Sequence, residues 1–205
     1  MNPFTSLHSV AAAMADADID TDIIFPARFL TLTQKPGLAR YAFHDRRYDA
    51  SGQERPDFVL HQTPWRGAQI LVAGANFGCG SSREQAPWAL ADLGLRCIIA
   101  PGFGDIFEAN CLRNGLLPIR LDGAAYAALL ADAQAGRALL VNLASLTVQR
   151  DSGAVVAFTL PEAQRQALLA GRDEIDLLLQ QEGPRIAAFQ AAQRLRMPWL
   201  YASKI

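Results

Sequence analysis

Between Ala68 and Leu121, three short aliphatic runs alternate with two stretches of helical spacing, and this alternation limits the fold more than any other feature of the chain. Ala68–Ala73 (AQILVA), Cys97–Ala100 (CIIA) and Leu116–Leu121 (LLPIRL) read as buried strands, because each is short, aliphatic and bounded by turn residues. Ser81 to about Leu93 and Asp105 to Arg113 carry the intervening helical patterns, closed by Gly94 and by Asn114-Gly115. Pro87 either kinks the first of these helices or marks a second start. Pro118 places the third strand at an edge or a strand end. Strand, helix, strand, helix, strand in so short a span predicts an α/β core built from crossovers.

The flanks add less regular pieces. Leu139–Leu143 and Leu146–Gln149 are strand-like, and Asp151-Ser152-Gly153 turns the chain back into Ala154–Leu160, a hairpin signal. After Pro161 the spacing predicts three short helical pieces, broken at Gly171 and at Gly183-Pro184. Residues 32–66 contain Pro36, Pro56 and Pro64 among many charges and read as a long surface excursion.

Composition narrows the function classes. The chain has 205 residues, 51% hydrophobic and 19% charged, enough for a sizeable core in a single domain, 1–205, with a helical C-terminal extension at about 161–205. A formal net charge of -1 argues against a nucleic-acid partner. No run approaches the ~20 apolar residues of a membrane span, and Met1 to Val10 has no signal-peptide pattern, so a cytoplasmic protein is expected. The cysteines, Cys79, Cys97 and Cys111, are odd in number, widely spaced and without a C-x-x-C pair. They suit neither a disulfide framework nor a metal or iron–sulfur site in this chain. Cys97 and Cys111 fit instead as small buried hydrophobes.

Chemistry concentrates in Asn76–Glu84, NFGCGSSRE. Gly78 and Gly80 allow a tight turn and close approach to a ligand. Ser81 and Glu84 have capping-box spacing, so a helix is expected to open here with its free N–H groups turned toward the loop, a setting that attracts anions. Arg83 adds a fork matched to a carboxylate, and Ser81 and Ser82 add hydroxyls. A small carboxylate ligand is implied; helix capping alone is the plainer alternative. The segment does not fit a G-x-S-x-G elbow, a nucleotide P-loop or the G-x-G-x-x-G fingerprint.

NFGCGSSRE followed by APWAL resembles the signature of isopropylmalate isomerase small subunits. Two further blocks agree in order and spacing: Asp20–Arg28 (DTDIIFPAR), and Ile99–Phe107 (IAPGFGDIF) with Asn110 and Asn114–Pro118 (NGLLP). The resemblance implies a swivelling β/β/α domain of the aconitase type, with a mixed sheet core and flanking helices. It implies a hydro-lyase of leucine biosynthesis that converts 2-isopropylmalate to 3-isopropylmalate through isopropylmaleate. It further implies that a large subunit partner holds a [4Fe–4S] cluster, whose iron acts as Lewis acid on the departing hydroxyl, and that this chain binds no cofactor itself. By the same resemblance Ser81 is the catalytic base. Ser82, Arg83, Thr21, Asp22 and Arg28 contact the dicarboxylate substrate or its loop. For Asp22 and Arg28 a turn residue and a solvated charge are the alternatives. Phe29, Leu30, Thr31 and Leu32 occupy the substrate-selecting stretch, and their mostly apolar character suits an isopropyl group better than a third carboxylate.

One position departs from the family pattern. Gln85 stands where most of the family has histidine. That leaves room for a related hydratase acting on citraconate or dimethylmalate, and a non-catalytic anion-binding module is the alternative from another class.

Overall fold

The computed structural model describes residues 1–32 and 34–201. Thr33, within the 32–66 excursion, and residues 202–205 of the C-terminal extension lie outside the described residues. In chain order the elements are β1 (Ser6–Met14), α1 (Thr21–Ile24), α2 (His44–Arg47), β2 (Ile70–Ala73), α3 (Gln85–Asp92), β3 (Cys97–Ala100) and α4 (Asp105–Arg113). They continue with β4 (Leu117–Arg120), α5 (Gly123–Gln134), β5 (Ala138–Asn142), β6 (Thr147–Arg150), β7 (Val155–Ala157), α6 (Glu162–Ala170) and α7 (Glu174–Arg196).

The strands make one seven-stranded sheet, ordered β4-β3-β2-β1-β5-β6-β7. The first four are parallel to one another, and β5 to β7 continue antiparallel from β1. Pro118 sits on β4, the edge strand, as its missing N–H requires.

Alternating side chains divide the core into two layers. Leu71, Ala73, Ile98 and Ala100 point to the face covered by α3 and α4, where Leu90 and Phe107 lie. Ile70, Val72, Cys97 and Ile99 point to the opposite face, where Leu129 of α5 and Leu168 of α6 lie. Both β2 and β3 are buried along their whole length, whereas β5 buries only every second residue. This is the difference expected between a covered parallel sheet and an antiparallel one with a wet face.

Several sequence expectations change. The capping box at Ser81 and Glu84 does not form: α3 begins at Gln85, and the cap position Glu84 makes no side-chain cap bond. Glu84 instead accepts a hydrogen bond from Asn114, so a tertiary bond displaces the local one. Pro87 falls in the first turn of α3, where a missing N–H does no harm. The described region after Pro161 forms three helical pieces, α6, α7 and a 3-10 turn at Pro198–Tyr201, but the break expected at Gly183-Pro184 is absent because α7 runs unbroken through it. On so exposed a helix, the carbonyl that Pro184 leaves without a donor can be met by water. The 32–66 excursion is not only surface: Leu38, Ala42, Phe43, Phe58 and Leu60 are core residues. Arg47, 7% exposed, pins it from within by donating to the carbonyl of Ala42 at 3.1 Å. Strand β1 and helix α5 add to the sequence reading, which had assigned neither segment.

Candidate active site

Because β1, β2 and β3 are parallel, their C-terminal ends lie on one edge of the sheet, the edge at which open α/β sheets bind ligands. Three loops leave that edge: residues 15–20, 74–84 and 101–104. They are sewn together by backbone bonds. Asp18 N donates to Ala75 O at 2.9 Å, Gly78 N to Ile19 O at 2.7 Å, Thr21 N to Cys79 O at 2.9 Å and Phe77 N to Gly102 O at 3.0 Å. The side-chain amide of Asn76 adds a bond to Asp18 at 2.7 Å. The glycines permit this packing. A Cβ on Gly78 would lie 2.2 Å from the Phe107 ring, and one on Gly104 would lie 2.6 Å from the carbonyl oxygen of Gly78.

Ser81 and Ser82 emerge exposed from this knot. The Ser81 carbonyl accepts from the hydroxyl of Thr21 at 3.1 Å, so buried Thr21 positions the serine from below. Beside Ser81 is a shallow cleft of about 200 Å³, lined by Gly78, Gly80, Gly104, Asp105, Ile106 and Phe107. Ile106 is the apolar part of that rim and is 54% exposed. The sequence reading did not select Gly104, Ile106 or Phe107 as site residues; the glycines at 102 and 104 were the available signal.

Arg83 turns from solvent, its side chain 13% exposed, with Nη1 against Asp22 Oδ1. The contact is an ion pair without hydrogen-bond alignment, and both Nε and Nη1 are buried with no hydrogen-bond acceptor among the described residues. The guanidinium holds the Asp22 carboxyl below its ordinary range, through that close contact above all, with the N–H of Ala27 assisting. Asp22 also accepts from Ala27 N at 3.2 Å, which ties Arg83 to the start of the following turn.

The structure therefore brings Thr21, Asp22, Ser81 and Arg83 together as one hydrogen-bonded pair, Thr21–Ser81, and one ion pair, Asp22–Arg83. Arg28 is engaged elsewhere: its polar partners among the described residues are Asp45, reached by both terminal nitrogens, and His44. Its guanidinium lies 4.5 Å from the centre of the Phe29 ring. Phe29 itself packs with Phe25, Tyr41 and His44. Leu30 and Leu32 lie half-buried on the same core, and Thr31 is exposed.

Comparison with known proteins gives this geometry a family. The aconitase C-terminal domain family matches residues 1–124. The 3-isopropylmalate dehydratase small subunit of Gluconacetobacter diazotrophicus is 49% identical over 201 residues, 97% of each chain. That of Paramagnetospirillum magneticum is 46% identical over 98% of this chain and 100% of its own. The chain belongs to the family of 3-isopropylmalate dehydratase small subunits. It is a family of hydro-lyase subunits in leucine biosynthesis. The solved 3-isopropylmalate dehydratase of Methanocaldococcus jannaschii superposes with a TM-score of 0.67 at 25% identity, covering 89% of this chain and 99% of that one.

The cysteines of this small subunit are dispersed. Cys97 and Cys111 lie in the two different core layers, and burial pushes both thiols far up from their usual range. Cys79 stands apart in the site loop, its thiol raised by burial and by Asp18 and Asp20. Among the described residues no group of three or more His, Cys, Asp or Glu is placed to hold a metal ion.

Proposed function

We propose that this chain is the cytoplasmic, base-bearing half of a split active site that dehydrates 2-isopropylmalate and rehydrates the product to 3-isopropylmalate, the other half being a large subunit that holds the [4Fe–4S] cluster. The observation that carries the reading is Arg83, a largely buried guanidinium next to the exposed serines, with Asp22 as its counter-ion among the described residues. A guanidinium fork matches a substrate carboxylate in two-pronged geometry. Asp22 then orients the fork, and Ser82 offers a further hydroxyl to the substrate.

With the carboxylate so placed, the deprotonated Ser81 oxygen takes the proton from the carbon beside it while the hydroxyl leaves from the neighbouring carbon as hydroxide, one water being lost overall once the proton on Ser81 is counted. Return of the hydroxide at the first carbon, with Ser81 giving its proton to the carbon that lost the hydroxyl, completes the isomerisation and regenerates the base. A serine hydroxyl is a weak acid, so its deprotonated form demands a dry, positive surrounding. Ser81 is exposed in the isolated chain. The missing wall is therefore assigned to the partner, whose docking would exclude water. This chain's residues do not fit the cluster, so none of these steps is routed through it.

Arg83 variants in a reconstituted complex test the reading. With a cluster-loaded large subunit, kept anaerobic, isopropylmalate, citraconate and dimethylmalate are offered separately while absorbance of the unsaturated acid is followed. Arg83→Lys is expected to lose kcat/KM nearly as fully as Arg83→Ala, by roughly 10–100-fold, because lysine cannot make the two-pronged contact. Full activity of the lysine variant contradicts the assigned role. Turnover of one of the other acids, with none from isopropylmalate, keeps the chemistry and moves the substrate, with Gln85 and Phe29–Leu32 as the residues to examine.

A further inference from the structure

The segment Ser81–Glu84 lacks the local support its sequence suggests. It is not part of α3, and no capping box closes it. It is a four-residue bridge with one internal backbone bond, from Arg83 N to Ser81 O at 2.9 Å, and its carbonyls at Arg83 and Glu84 accept from Ala86 and Trp88 of α3, both at 3.3 Å; side chains distant in the chain hold its two ends as well. At one end the Thr21 hydroxyl donates to the Ser81 carbonyl at 3.1 Å. At the other end the side-chain amide of Asn114 donates to the Glu84 carboxylate at 3.1 Å. Asn114 is the C-terminal cap of α4, and the same amide also donates to the Asn110 carbonyl at 2.8 Å. Its remaining polar atom, Oδ1, accepts from Lys35 Nζ at 2.8 Å. Lys35 in turn lies over the Trp88 ring of α3, 4.9 Å from its centre.

This geometry uses all of the polar capacity that matters in Asn114. A side-chain amide can donate and accept at once, and here it donates to an anion while accepting from a cation. The chain of contacts Lys35–Asn114–Glu84 reaches the residue next to Arg83. It also sets a cation two links from a carboxylate that otherwise adds negative charge beside an anion-binding loop. Aspartate at 114 has nearly the same shape but puts a second carboxylate against Glu84.

We propose that Asn114 is a positioning residue for the reaction: by holding Glu84, with Lys35 behind it, it fixes the far end of the bridge that presents Ser82 and Arg83 to the substrate. The proposal rests on the hydro-lyase reading given above. It concerns substrate grip more than proton transfer, because the Ser81 end of the bridge is held separately by Thr21.

Two measurements test it. In the reconstituted complex, Asn114→Ala is expected to raise KM for the turned-over acid about tenfold, the factor for one lost hydrogen bond to a charged group, with kcat changed less than threefold. Asn114→Asp is expected to be worse than alanine, since it adds repulsion from Glu84. In a Glu84→Ala background the effect of Asn114→Ala is expected to vanish. An equal effect with and without Glu84, or equal values for alanine and aspartate, overturns the proposal and leaves Asn114 as a helix cap only. In the free chain, amide hydrogen exchange across Ser82–Ala86 is expected to accelerate in Asn114→Ala while β2 and β3 stay protected. Unchanged exchange there overturns the proposal independently of catalysis. A wild-type complex that turns over none of the acids refutes the functional reading alone, and the exchange measurement still decides whether Asn114 holds the bridge.

Discussion

Replacing Gly78 with alanine should damage this protein well beyond the backbone strain of an added methyl. Gly78 is buried with φ at 73°, and a Cβ there would lie 2.2 Å from Cγ and 2.4 Å from Cδ1 of Phe107. Phe107 has little room to yield: it is 2% exposed and stands edge-on to buried Phe77, with ring centres 5.5 Å apart. Left-handed backbone in a non-glycine residue costs about 1 kcal/mol. Forcing a ring from a packed site adds about 2 kcal/mol. Together they give about 3 kcal/mol, a fall in Tm of roughly 6–12 °C for a chain of this size. Gly94 supplies the control, because its φ is 103° but an added Cβ meets nothing within 4 Å. Gly94→Ala should carry only the backbone strain, about 1 kcal/mol or roughly 2–4 °C. Thermal unfolding of both variants, followed by circular dichroism, isolates the steric part by difference. Equal losses for the two variants would refute the claim that the loop is wedged against Phe107.

Two further outcomes follow from the geometry. Thr21→Val keeps the shape but removes the donor to the Ser81 carbonyl, and should lower stability by about 1 kcal/mol in denaturant titration while reducing kcat of the complex. Asp45 is held down to about 2 chiefly by Arg28, with His44 assisting, against an ordinary 3.8. Because the folded value is depressed, its contribution is present above pH 3.8 and lost as pH falls toward 2. Asp45→Asn should therefore lower stability slightly at pH 7, by less than about 1 kcal/mol for so exposed a pair, and change nothing near pH 2.

The half of the fold that was legible in the sequence is the half where local pattern and tertiary burial agree. Cys97–Ala100 and Asp105–Arg113 were read with their observed bounds, because a doubly buried strand and a helix with apolar spacing leave little ambiguity. Strand β1 escaped notice for a physical reason. Its last residues, Ala11, Ala12, Ala13 and Met14, have weak strand preference, and their place is fixed by pairing with Ile70–Ala73 of β2 and burial between two layers. Ser81 and Glu84 carried a true local signal that lost to two long-range bonds, from Thr21 and from Asn114. For the site, Ser81, Arg83, Thr21 and Asp22 were selected from motif resemblance, and the structure joins them in pairs. Their depth was not readable: nothing in the string NFGCGSSRE tells that Arg83 turns inward onto Asp22 while Ser82 is exposed. The pairing of Arg28 with Asp45, across 17 positions, was likewise beyond local reading.

On the proposed function, Ser81 is the base of a site completed by a second subunit. The most direct test mixes wild-type or Ser81→Ala chain with a cluster-loaded large subunit, without oxygen, and compares isopropylmalate turnover with complex formation by gel filtration. No turnover is expected from either subunit alone, with turnover from the wild-type mixture and a loss of about 10²–10⁴-fold in Ser81→Ala with assembly intact. A Ser81→Ala complex that assembles and turns over isopropylmalate at near wild-type rate would contradict it.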